Sequence, residues 1–149
     1  MAIHILPDDF KELLKLFNKH RVKYLLIGGY AVAHYGYVRA TQDMDLWISI
    51  VSSNAAKTVK ALVEFGFDSS ALSEDIFLKP HQVIRMGVPP LRIEILTTIS
   101  GVQFDLCYER RKEISIEGIL IPIIDVEDLK VNKKAAGRHS DLNDLENLV

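Results

Sequence analysis

Apolar residues recur at Phe10, Leu13, Leu14 and Phe17 in "LPDDFKELLKLFNKHRV", the spacing of one helical face, and Pro-Asp-Asp marks its start. "KYLLIGG" is a short apolar run stopped by two glycines, and "YAVAHYG" behind it reads as a brief helix ended by Gly36. In "DMDLWISI" strict alternation predicts a second strand, with Met44, Leu46, Ile48 and Ile50 on one face and Asp43, Asp45, Trp47 and Ser49 on the other. "SNAAKTVKALVEFG" predicts a helix with Ser52 or Ser53 as its cap and Gly66 as its stop, whereas residues 67–82 carry no clear period. "VIRMGV" and "LRIEIL", separated by Pro89-Pro90, predict two strands, and "GVQFDLCYERRKEI" a short helix. "ISIEGILIPII" reads as a strand pair or a bent strand around Gly118. Two closing helices break near Gly137, the first opened by Asp125.

These elements predict a mixed α/β (α+β) class: helices alternating with the strands of one mixed central sheet, and a short C-terminal helical segment. No repeat or linker marks a second domain, so 1–149 is expected to be one unit with a core of about 22–124 and C-terminal helices over about 125–149. The 149 residues, 48% of them hydrophobic, suffice for a core without staples. Charge changes this picture little: 18 basic against 20 acidic residues give −2, with no broad nucleic-acid-binding surface advertised. The single cysteine, Cys107, reads as a buried small hydrophobe and points to a reducing cytoplasm. "MAIHILPDDF" lacks a signal-peptide layout, and no apolar run approaches a membrane span.

Chemistry enters at "RATQDMDLWISI", where two carboxylates share one face of a sheet-forming run. Like charges so placed repel, and Asp is depleted in strands. In an extended strand the α carbons of Asp43 and Asp45 lie about 6.6 to 6.8 Å apart, close enough for both side chains to flank a hard divalent cation. Glu94 in "LRIEIL" shares a face with Arg92 and Leu96, and three acids could hold two ions about 3.5 to 4 Å apart. Glu94 could also accept a proton from an attacking hydroxyl. Taken singly, each acid is better explained structurally, Asp43 and Asp45 as a turn residue or edge charge and Glu94 as part of a solvated face or a surface pair with Arg92. "LLIGGYAVAHYG" changes the balance, because Gly28 and Gly29 join a strand to a helix start, where backbone N–H groups and the helix dipole suit phosphate oxygens.

These pieces, "IGGYAVAHYG", "RATQDMDLWI" and "RIEIL", spanning residues 24–98, resemble the nucleotidyltransferase superfamily typified by polymerase beta. The resemblance is greatest to its small bacterial members of minimal and abortive-infection toxin type. It implies a nucleotidyltransferase fold in which Gly28 and Gly29 bind nucleotide phosphates and Asp43, Asp45 and Glu94 form the catalytic, Mg2+-holding acids, with Mn2+ as a substitute. The family often has Gly-Ser where this chain has Gly28-Gly29, and Asp where it has Glu94. Arg39 and Thr41 are spaced for a guanidinium to reach phosphate and a hydroxyl to orient Asp43 or its loop; an exposed arginine and a strand-favouring threonine explain them equally well. Lys130, Lys134 and Arg138 form a basic stripe if the helix persists through Gly137. The resemblance turns Lys134 and Arg138 toward the triphosphate. Asp141 and Asp144 read as structural partners of those cations, His34 as packed and Trp47 as core.

The expected activity is metal-dependent transfer of an NMP from an NTP, ATP for preference, to a hydroxyl of a protein, RNA or small-molecule acceptor. The resemblance adds a toxin–antitoxin setting with a cognate antitoxin or partner protein. The alternative is an inactive nucleotide-binding or partner-binding module of the same fold. A P-loop or dinucleotide-binding protein is excluded, since neither GxxxxGK[ST] nor GxGxxG occurs.

Overall fold

The computed structural model describes residues 6–41, 43–87 and 91–148; the predicted Pro89-Pro90 separator lies outside them. Helix α1 (Asp8–Lys19) buries Phe10, Leu13, Leu14 and Phe17, the four positions of the apolar period. Strand β1 (Tyr24–Ile27) is buried along its whole length and runs straight into α2 (Gly28–His34), with Gly28 at φ 67° making the turn. Strand β2 (Asp43–Ile48) follows, then α3 (Ser52–Phe65), closed by Gly66. The predicted serine cap is absent: Val51 holds the N-cap position, and Asn54 instead ties the turn, bonding Lys23 N–H at 2.7 Å and the Ser49 carbonyl at 2.8 Å. Two short 3-10 turns, Ser69–Ala71 and Glu74–Leu78, occupy the stretch without period and are capped by Asp68 and Ser73.

Strands β3 (Val83–Met86) and β4 (Arg92–Leu96) pair antiparallel, and after α4 (Phe104–Glu109) so do β5 (Lys112–Ile116) and β6 (Ile119–Ile123). The Gly118 region is therefore a hairpin, its two-residue turn made by Glu117 and Gly118, both at positive φ as a tight primed turn requires. Helices α5 (Val126–Ala136) and α6 (His139–Asn147) end the chain. The six-stranded sheet has the order β3-β4-β2-β1-β6-β5 and is mixed. Strict alternation of helix and strand does not hold: β3–β4 and β5–β6 are consecutive pairs, because short connections favour antiparallel neighbours. Among the described residues no helix is long and apolar enough to cross a membrane.

Register assigns the two faces. Tyr24 pairs with Ile48, Leu26 with Leu46, Met44 with Ile93 and Leu46 with Ile95, so these side chains point one way, where Phe17 of α1 packs edge-on against Tyr24 at 5.3 Å. The opposite face carries the row Ile27–Asp45–Glu94–Arg85 across four adjacent strands. On that face, where the alternation set it, Trp47 is 1% exposed and packs edge-on against Phe104, so it is core as expected of its bulk.

Candidate active site

The second face opens into a cavity of about 450 Å³ whose lining combines Gly28, Gly29, Arg39, Thr41, Asp43, Asp45, Arg85 and Glu94 with Lys133, Arg138 and Asp141 from the C-terminal helices. Parallel pairing of β2 with β4 sets Asp45 directly beside Glu94 and Asp43 beside Arg92. The acids differ in their partners. Glu94 accepts from Arg85 Nε at 3.0 Å and Asp43 from Arg92 Nε at 3.3 Å, whereas Asp45 Oδ1 is buried with no hydrogen-bond partner among the described residues. Burial, and after it the charges of Glu94 and Asp43, push the Asp45 carboxyl up to about 7; Lys133 opposes this. A buried carboxylate oxygen without a donor is costly.

That deficit is the observation against which a divalent ion can be tested. Asp43 and Asp45 fit Mg2+, which takes one or two carboxylates plus substrate phosphates. The predicted three-acid cluster is only partly assembled: among the described residues no three His, Cys, Asp or Glu side chains gather closely enough to hold one ion. The arginines account for this, since Arg85 and Arg92 engage the outer two acids.

The glycines are required here. A Cβ on Gly28 would collide with the Asp45 carboxylate, and φ 67° disfavours any side chain. A Cβ on Gly29 would come within 2.6 Å of Thr41 Oγ1, so Thr41 fills the space that a larger residue at 29 would need. The Thr41 hydroxyl also donates to the Asp43 carbonyl at 3.3 Å, tying the loop to the start of β2.

The cations are differently arranged from the predicted stripe. Gly137, left-handed at φ 67°, ends α5, so Arg138 belongs to the next helix and Lys130–Lys134–Arg138 is not one face. Lys134 is exposed and does not line the cavity; its neighbour Lys133 does, 6% exposed and bonded to Asp144 at 3.0 Å and Asp141 at 3.3 Å. Spacing carried a signal for Lys133, four residues after the buried Leu129 and hence on the same inward face. Arg138 reaches the cavity and pairs with Asp141 at 2.7 Å. Arg39 grips Asp144 through two bonds, at 2.7 and 2.8 Å, with its side chain on the cavity wall. Asp141 and Asp144 are thus structural partners of the cations; burial raises both carboxyls, but their ion pairs outweigh it and hold each below the usual range. Arg85 escaped the sequence reading, because only β3–β4 register brings it onto Glu94. His34 does not line this cavity, and buried Cys107 has its thiol pushed up to about 11, first by burial and then by Asp128.

Solved structures share this arrangement of elements. LnuA, a lincosamide antibiotic adenylyltransferase determined with lincomycin bound, is 17% identical, with 98% of each chain covered and a TM-score of 0.56. A Thermotoga maritima protein assigned as a nucleotidyltransferase is 13% identical over 97% of this chain and 93% of its own, with a TM-score of 0.61. The fold is therefore the polymerase-beta-like nucleotidyltransferase fold. No curated protein matches the sequence. The chain belongs to the family described as "Nucleotidyl transferase of unknown function (DUF2204)", which matches residues 7–149.

Proposed function

We propose that this protein transfers a nucleoside monophosphate from an NTP, ATP for preference, to a hydroxyl group and releases pyrophosphate. The observation that carries the reading is the partnerless buried oxygen of Asp45, flanked by two more acids in a cavity whose other wall is cationic. Asp43 and Asp45 are the residues that would hold a divalent ion. When bound with the nucleotide, Mg2+ or Mn2+ would supply charge neutralisation at the reacting phosphate. Gly28 and Gly29 carry no side chain into the turn, which Thr41 braces, and their backbone N–H groups would serve phosphate oxygens. Arg39, Lys133 and Arg138 line the same cavity and would serve as the cations for the outer phosphates, a role in which Lys133 replaces Lys134. Glu94 takes the proton of the attacking hydroxyl. The cavity draws on both the sheet and the C-terminal helices, so residues 1–149 act as one unit in this reading. The adenylyl transfer named for LnuA supports ATP as donor.

The test is incubation with NTPs labelled at the α-phosphate, Mg2+ and cell extract. Label should transfer in the wild type, and Asp43→Asn or Asp45→Asn should reduce transfer by at least about 100-fold, the scale of lost electrostatic stabilisation, with unchanged circular dichroism. Undiminished transfer by either variant refutes the assignment. The engagement of Asp43 and Glu94 by arginines favours one second reading, an inactive nucleotide binder. It predicts ATP binding without transfer.

A further inference from the structure

Beside the charged cavity lies a second hollow of about 310 Å³, lined by His81, Val83, Thr98, Ile99 and Ser100. The last four of these also line the charged cavity, so the two volumes share a wall. Their chemistry divides sharply. Arg39, Arg85, Lys133 and Arg138 all face the larger cavity, and none of the five residues around the hollow is a lysine, arginine or carboxylate. Val83 pairs with Leu96 one pleat repeat beyond Arg85–Glu94 on the same sheet face, about 6.6 to 6.8 Å along the strands. The hollow therefore sits one step from the row of acids.

Its polar end is built by two residues. The Thr98 hydroxyl oxygen accepts from the His81 backbone N–H at 3.0 Å and lies 3.2 Å from His81 Nδ1. In the tautomer protonated at Nε2, Nδ1 accepts the Thr98 hydroxyl proton and Nε2–H is left as the free donor of the ring. His81 is held at φ 61°, a conformation uncommon for residues other than glycine.

We propose that this hollow receives the acceptor, and that the acceptor is an uncharged small molecule bearing a hydroxyl. Its apolar part lies on Val83 and Ile99 and a polar group accepts from His81 Nε2. The volume is that of a small-ligand site, and a nucleic-acid acceptor would call for cations that the hollow lacks. The inference rests on the nucleotidyl-transfer reading. In the step, the acceptor oxygen bonds to the α-phosphorus while the bond from that phosphorus to the oxygen bridging the β-phosphate breaks. Pyrophosphate leaves with the electron pair, and the hydroxyl proton passes to Glu94 and then to solvent.

The experiment offers ATP labelled at its α-phosphate, with Mg2+, to three separate acceptor pools: the low-molecular-mass filtrate of a cell extract, its protein and its total RNA. Label is expected in the filtrate pool. His81→Asn tolerates the left-handed backbone but removes the ring donor; it should raise KM for the purified labelled acceptor about tenfold, the scale of one hydrogen bond, with kcat and ATP affinity unchanged. Label confined to protein or RNA overturns the proposal, as does a His81→Asn enzyme with unaltered acceptor KM. A wild type that does not bind ATP at all fails the nucleotidyl-transfer reading itself, and is recognised by the absence of any ATP-induced shift.

Discussion

Asp45 is the residue at which fold and chemistry meet. Its carboxyl titrates near 7 in the folded protein, against 3.8 for the unperturbed group, because burial and two neighbouring acids disfavour the charge. The folded state therefore binds this proton more tightly than the unfolded state, and stability falls as pH rises between those two values. Below pH 4 the group is protonated in both states and contributes nothing; above about 7 it is ionised in both and its full cost is present. With about 1.4 kcal/mol per pK unit, that cost is on the order of 4 kcal/mol. We expect the metal-free protein to lose melting temperature from pH 5 to pH 8, and Asp45→Asn to flatten the loss. Urea unfolding across that range checks it, and equal slopes for both proteins would contradict the titration. Gly28 belongs to the same account, since a side chain there would meet this carboxylate.

Helix α6 is fastened to the site by charge rather than by apolar area. Asp144, fully buried, takes both bonds of Arg39 from the loop before β2 and a third contact from Lys133 of α5. Removing one member of a buried ionic group leaves its partners uncompensated, at about 3–5 kcal/mol. Asp144→Ala should therefore lower the melting temperature by roughly 6 to 20 °C in a chain of this size. Asp144→Asn, which retains one acceptor, should lose less. Calorimetry of the two variants measures the difference; a loss below about 1 kcal/mol in Asp144→Ala would mean that α6 is held by other contacts. The left-handed Gly137 matters for the same reason, since the bend it makes brings Asp141 and Asp144 back onto Lys133.

For the molecule as a whole, the cavity is the meeting place of the sheet, the Gly28 turn and the two last helices, so a nucleotide bound there would touch all of them. A ligand at 100 times its Kd stabilises by about 2.7 kcal/mol, a rise of roughly 5 to 10 °C here. We expect ATP with Mg2+ to give such a shift in the wild type and Asp43→Asn to remove the part that depends on Mg2+. Differential scanning fluorimetry reads both, and an Mg2+-independent shift of full size would remove Asp43 from ion binding.

Much of the fold was legible in the chain, because local physics writes it there. The helical period of Phe10, Leu13, Leu14 and Phe17, the alternation that set Asp43 and Asp45 opposite Met44 and Leu46, and the glycines at 28, 66 and 137 each act over a few residues. The tie at the start of α3 was not legible, since Asn54, besides nearby Ser49, bonds the backbone of Lys23 far back along the chain. By itself, the sequence determined which side chains share a strand or helix face and where the acids and glycines lie along the chain. Only the tertiary structure decided which faces meet: that Glu94 falls beside Asp45, that Arg85 engages it, and that Lys133 meets Asp141 and Asp144. Strand register and helix docking are settled by burying apolar surface across the whole molecule, and no short stretch of residues contains that information.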